Sequence, residues 1–161
     1  MRRLALVAAA LLFAGCTPES LGGSLAQALS LEFDHVELAV DADAMRLSYL
    51  HTQKEGADVT FELVVLLAGL TVEVPMEIDL ASRLDAGQPR ATASRLEAND
   101  PVLFPPITSG TLSLEVEPLT QKKLAGNFGL HFASDASTRH VGLGLTVHGT
   151  FGGTVEQVTA P

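Results

Sequence analysis

At 161 residues, with 47% hydrophobic and 18% charged side chains, the chain is long enough to bury one substantial core and too apolar to stay disordered. A formal net charge of -9 excludes an ordinary nucleic-acid binder, because neutralising phosphates requires clustered Lys and Arg. No Gly-X-Y period or heptad runs through the sequence, which excludes a fibre.

Arg2 and Arg3 precede an apolar run from Leu4 to Phe13. That run is too short to cross a bilayer, which takes about 20 apolar residues in a helix. It fits the apolar region of a secretory leader. Directly after it stand Ala14, Gly15 and Cys16, and Cys16 is the only cysteine in the chain. Small residues immediately before a cysteine at this place resemble the lipobox of bacterial lipoproteins. The resemblance covers residues 1–16 and departs from the family at Phe13, where Leu is usual. It implies cleavage before Cys16 and acylation of that residue, and Thr17 in place of Asp implies sorting to the outer membrane. Each buried acyl CH₂ contributes about 0.8 kcal/mol, so several chains make a practically permanent anchor.

The expected organisation is a leader over residues 1–15, a lipidated tether over 16–30 and one antiparallel β domain over 31–161. Pro18, Gly22 and Gly23 and the lack of periodicity suggest the tether, with a helical turn near Leu25. Removing Arg2 and Arg3 with the leader leaves a still more acidic body, expected to stand off anionic headgroups. With Cys16 acylated no thiol remains for a disulfide, so the core must hold by packing alone.

From Phe33 onward the hydrophobic period is two, the mark of half-buried strands. Val36, Leu38 and Val40 alternate, Asp41 to Ala44 turn the chain, and Met45, Leu47 and Tyr49 return on the same face. A second hairpin is expected from Val59, Phe61, Leu63, Val65 and Leu67 through an Ala68-Gly69 turn into Leu70, Val72, Val74, Met76 and Ile78. Pro75 lacks an N–H and favours an edge or bulge there. Ala91 to Ala98 reads as a weaker strand, followed by a connection through Pro101, Pro105 and Pro106. A third hairpin faces Leu112, Leu114 and Val116 with Phe128, Gly126 and Leu124. A last strand over Val141 to Phe151 places Val141, Leu143, Leu145, Val147 and Phe151 on one face and Gly142 and Gly144 on the other. A one-residue slip in any hairpin would turn its apolar side chains to solvent, so these registers constrain one another. The fold class is therefore all-β: an antiparallel sandwich or small meander barrel of about eight strands. Around the segments ITSGTLSLEVE (107–117) and KLAGNFGLHF (123–132) the chain is similar to small β-rich lipoproteins of myxobacterial type, a likeness that implies no activity.

The search for chemistry is largely negative. The sequence contains no G-x-S-x-G elbow, P-loop, H-E-x-x-H pair or paired C-x-x-C, and no cofactor motif. His131, His140 and His148 share the polar face of the last hairpin if Phe132 pairs with Val141, with His148 well down the strand. Zinc normally takes three or four ligands, so surface histidines are the reading and no metal is assigned. Asp34 opposite His51 supplies a carboxylate–imidazole pair without a Ser nucleophile, which reads as a rim ion pair. Asp41 and Asp43 lack the six to eight oxygens of a calcium loop and read as turn formers. Val64 and Leu66 point away from the core, and Thr71 and Glu73 are their expected cross-strand neighbours. These four form the candidate partner-binding patch, an apolar spot ringed by polar groups. The functional expectation is a non-catalytic, lipid-anchored interaction or structural module at the outer membrane. It would hold the membrane through Cys16 and a second envelope protein through the body. The alternative is a carrier of a lipid or other small apolar ligand, with Leu63, Val65, Val74, Leu114, Phe128 and Leu145 lining the cavity of a closed barrel.

Overall fold

A computed structural model describes residues 19–53, 56–71, 74–97, 100–116, 123–134, 141–154 and 156–157, so the leader and Cys16 lie outside the described residues. Alternation of apolar and polar side chains produces eleven strands. They are β1 (Ser20–Gly22), β2 (His35–Val40), β3 (Ala44–Gln53), β4 (Gly56–Leu66), β5 (Met76–Asp79) and β6 (Ala91–Glu97). There follow β7 (Asp100–Leu103), β8 (Ile107–Val116), β9 (Lys123–Phe132), β10 (Thr146–Thr154) and β11 (Glu156–Gln157). One sheet has the order β1-β10-β9-β8-β5 and the other β11-β2-β3-β4-β6-β7. All pairings are antiparallel except the short β11–β2 contact. Both sheets are open at their edges, so the chain does not form the closed meander barrel that the strand count also allowed.

The two sheets share one hydrophobic cluster in a sandwich-like arrangement. Leu38, Leu47, Phe61, Leu63 and Val65 enter it from one sheet and Leu112, Leu124, Phe128, Val147 and Phe151 from the other. Aromatic rings carry the junction: Phe61 stacks on Phe128 with centroids 5.7 Å apart, and Phe104 stacks on Phe132 at 5.2 Å. Burying each such side chain contributes about 1.5–3 kcal/mol, the term that must outweigh chain entropy where no disulfide is available. Tyr49 is fully buried, edge-on to Phe33, and its hydroxyl donates to the Thr150 carbonyl across the sheet junction at 2.9 Å. Gly149 makes room for it. A Cβ there would lie 2.7 Å from both Tyr49 Oη and the Ser20 carbonyl oxygen.

The first hairpin has the expected register: Val40 faces Met45, Leu38 faces Leu47, and Val36 faces Tyr49. Its turn is closed by Asp41, whose Oδ1 accepts the N–H groups of Asp43 and Ala44 at 2.7 Å each. In the third hairpin Leu112 meets Phe128 and Leu114 meets Gly126, but a bulge places Val116 opposite Ala125 instead of Leu124.

Three expectations are corrected. The second hairpin does not form: β4 is flanked by β3 and β6, and after the Leu67–Leu70 turn the chain crosses over, so that β5 pairs with β8 in the other sheet. β5 is an edge strand starting just after Pro75, as the missing N–H of that proline requires. The last strand begins at Thr146 rather than Val141. Gly142 and Gly144 have φ of 94° and 67°, and the bond from Leu145 N–H to the Gly142 carbonyl closes a turn where the strand was expected to continue. Finally, residues 20–30 are not tether. β1 pairs with β10, Ser20 Oγ lies 2.8 Å from Thr150 Oγ1, and Leu25 is fully buried in a 3₁₀ turn. A three-residue strand is too short to show a period, which is why composition alone suggested a linker.

Candidate functional site

Val64 and Leu66 lie on the outer face of the six-stranded sheet, half-buried, alternating with the buried Leu63, Val65 and Leu67. Their neighbours differ from those expected. Val64 stands between Arg46 of β3 and Thr92 of β6, and Leu66 faces Ala44 while its N–H donates to the Arg90 carbonyl. Thr71 is exposed beyond the turn, in a segment that pairs with neither residue, and Glu73 lies outside the described residues. The expected pairing of Leu66 with Thr71 is therefore not made. The missing cross-strand partner was the β4–β5 hairpin itself.

A different arrangement surrounds Val64. Glu62, directly below it on β4, accepts from Arg46 Nη1 at 2.9 Å and lies within hydrogen-bond reach of Ser48 and Ser94. Above it, Arg90 Nη1 donates to the carbonyls of Leu66 and Ala68, pinning the end of β4. Beyond Thr92 the sheet ends in an apolar pocket of about 250 Å³ lined by Pro89, Ala91, Ala93, Leu103, Phe104 and Ile107. It exists because β7 stops early: the Phe104 N–H makes the last rung to the Ala93 carbonyl, and the chain then leaves through Pro105 and Pro106 for the other sheet. Leu103, on the rim, is 58% exposed, the one large apolar side chain exposed among the described residues. The sequence reading placed Leu103 and Phe104 in a proline connection after a weaker strand over Ala91 to Ala98. The available signal was Val102, Leu103 and Phe104 set among three prolines, apolar residues with no strand long enough to bury them.

Among the described residues the histidines are dispersed. The register pairs His131 with Thr146 and His148 with Gly129, so His131 and His148 are closer neighbours than the longer last strand would have made them. Their rings lean apart. His131 Nδ1 meets Thr108 Oγ1 at 3.2 Å on the β8 side, while His148 Nε2 lies over Gly22 on the β1 side. Between them is a shallow groove of about 290 Å³ that includes Gly129, Thr146 and Ser109. His140 lies outside the described residues, and among those described no three His, Cys, Asp or Glu side chains converge.

At the open end of the first hairpin, His51 Nδ1 lies 3.3 Å from Asp34 Oδ2, close enough for attraction but without hydrogen-bond alignment. Asp34 Oδ2 instead accepts the Thr52 N–H. That bond, above the attraction of His51, holds the Asp34 carboxyl below its ordinary range. Both side chains are nearly half exposed, so the pair is a rim feature with no nucleophile assigned to it.

Comparison with protein-family models, with curated proteins and with solved structures returned no match to the chain.

Proposed function

We propose that this chain is a lipid-anchored, non-catalytic envelope lipoprotein. Cys16 is the acylated residue, and a β-sandwich body serves as a protein-interaction or structural module at the outer membrane. The observation that carries the reading is the sequence at the leader boundary, where Ala14-Gly15 precedes the only cysteine of the chain directly after a short apolar run. Support for the interaction role comes from the edge of the six-stranded sheet. There Val64, Thr92 and the exposed Leu103 lead to an apolar pocket of about 250 Å³. That volume lies below the roughly 300–1,000 Å³ of typical small-molecule sites and suits a partner's apolar side chain better than a whole lipid.

A carrier of apolar molecules is the competing reading. It requires interior volume, whereas Leu63, Val65, Leu114 and Phe128, the side chains that would line it, pack into the common core. Native mass spectrometry of the protein extracted in mild detergent from its own host separates the two. The proposal expects a co-purifying protein that is lost on Leu103→Asp; a small apolar adduct beyond the acyl mass, with no protein partner, would favour the carrier.

A further inference from the structure

If Cys16 carries the anchor, as proposed above, the structure bears on how the body sits at the membrane. β1 begins at Ser20, so four residue steps separate the acylated residue from a strand fixed in the sheet, a reach of at most about 14 Å. The body is therefore held close, by the edge strand of the five-stranded sheet, and not on the long tether that the composition suggested.

The charges of the chain are distributed unevenly with respect to that edge. On the outer face of β1, β10 and β9 the side chains alternate with the buried ones and include Thr146, His148, Thr150, Asn127, His131 and Lys123. Among the described residues no carboxylate lies on this three-strand face, in a chain of 19 Asp and Glu against 10 Lys and Arg. Carboxylates flank it on both sides. Glu115 stands on β8, Glu77 and Asp79 on β5, and Glu37 and Glu62 on the outer face of the other sheet. Glu19, between Cys16 and β1, stands beside the anchored edge. Anionic headgroups repel carboxylates over about a Debye length, roughly 8 Å at physiological salt. The outer face of β1, β10 and β9, some 10 Å across, carries none itself, so it meets less of that cost than the faces that bear them.

We propose that the outer face of β1, β10 and β9 lies against the lipid headgroups of the membrane that holds the acyl anchor. The outer face of the opposite sheet, with Glu37 and Glu62, is then turned toward the periplasm or the exterior, and the Leu103 pocket lies at the far edge of the sandwich. The inference rests on the lipoprotein reading, and the test separates the two.

The acylated chain has no other cysteine, so single reporters can be introduced at Asn127→Cys, at Thr111→Cys as a second site on the same sheet, and at Thr92→Cys on the opposite sheet. Each is labelled with a fluorophore and reconstituted into phosphatidylethanolamine–phosphatidylglycerol vesicles carrying headgroup spin labels, and the intact mass of every sample is recorded. The expected result is an acylated chain in which Asn127 is quenched several-fold more than Thr92, with Thr111 between them. Asn127→Glu together with Thr150→Glu, in the Thr111→Cys chain, should abolish the excess quenching while leaving the anchor in place. Equal quenching at Asn127 and Thr92, or stronger quenching at Thr92, in an acylated chain overturns the orientation alone. An unmodified Cys16 overturns the anchor reading and the orientation with it.

Discussion

Gly149→Ala probes the point where the anchored edge strand, the sheet junction and the buried tyrosine meet. The new methyl would lie 2.7 Å from Tyr49 Oη, 2.7 Å from the Ser20 carbonyl oxygen and 2.8 Å from Phe128 Cε1. Tyr49 cannot swing away, because it is fully buried beside Phe33, Phe61 and Phe128. The methyl itself brings a gain of at most about 0.8 kcal/mol, whereas overpacking of this kind costs roughly 1–3 kcal/mol. The cheapest relief is for β1, three residues long and paired on one side only, to move off β10. We therefore expect a net loss of about 1–2 kcal/mol in urea unfolding, together with faster amide exchange at residues 20–25. Tyr49→Phe alone should cost about 1 kcal/mol by removing the hydroxyl bond to Thr150. Combined, the two changes should cost about 0.5–1 kcal/mol less than their sum, because one of the three colliding atoms is gone. Strict additivity, or a neutral Gly149→Ala, would refute the idea that this glycine exists to admit the tyrosine and β1 together.

Other predictions follow from the same structure. Burial, then the neighbouring Glu19 carboxylate, push the Tyr49 phenol above its ordinary value. The stability this group confers is fully present below about pH 10, the unfolded value, and is lost as pH rises through the higher folded one. Tyr49 is the only tyrosine, so the fall in urea midpoint between pH 9 and 11 should be shallower in Tyr49→Phe; an equal slope would contradict the assignment. Ala86 is exposed with φ of 62°, a left-handed conformation that costs an L residue roughly 1–2 kcal/mol. Ala86→Gly should consequently raise unfolding stability by about 0.5–1 kcal/mol after the added unfolded-state entropy, and a destabilised variant would contradict the turn geometry. Because the Thr52 N–H holds the Asp34 carboxyl low, its contribution is present above the unfolded carboxylate value and disappears as pH falls through the folded one. Carboxyl NMR should find Asp34 titrating below the ordinary aspartate range, and a value at or above that range would oppose the hydrogen-bond assignment.

Much of the fold was legible where the information is local. In the β2–β3 and β8–β9 hairpins, apolar alternation on both strands and a short enough connection leave one register that buries everything. The same logic misled at Leu67–Leu70, which has the spacing of a hairpin turn and apolar alternation on both sides. Period two states which face a side chain takes but not which sheet its strand joins, and β6 occupies the edge of β4 that β5 was expected to fill. The strand over Val141–Leu145 failed for a backbone reason, since Gly142 and Gly144, expected on one face of that strand, turn the chain at positive φ. The partner patch inherited the hairpin error, so Val64 and Leu66 face outward as expected but meet Arg46, Thr92 and Ala44. The Leu103 pocket depends on where β7 stops relative to β6, a long-range fact with no short-range signature.

Accurate mass of the mature N-terminal peptide, taken from the membrane fraction of the native host and compared with Cys16→Ala, tests the central claim most directly. A chain that begins at Cys16, carries added acyl mass and partitions with the outer membrane is expected, as is a Cys16→Ala variant that loses both the acyl mass and membrane retention. A wild-type chain with an unmodified Cys16, or a variant that stays in the membrane fraction unchanged, would contradict the claim.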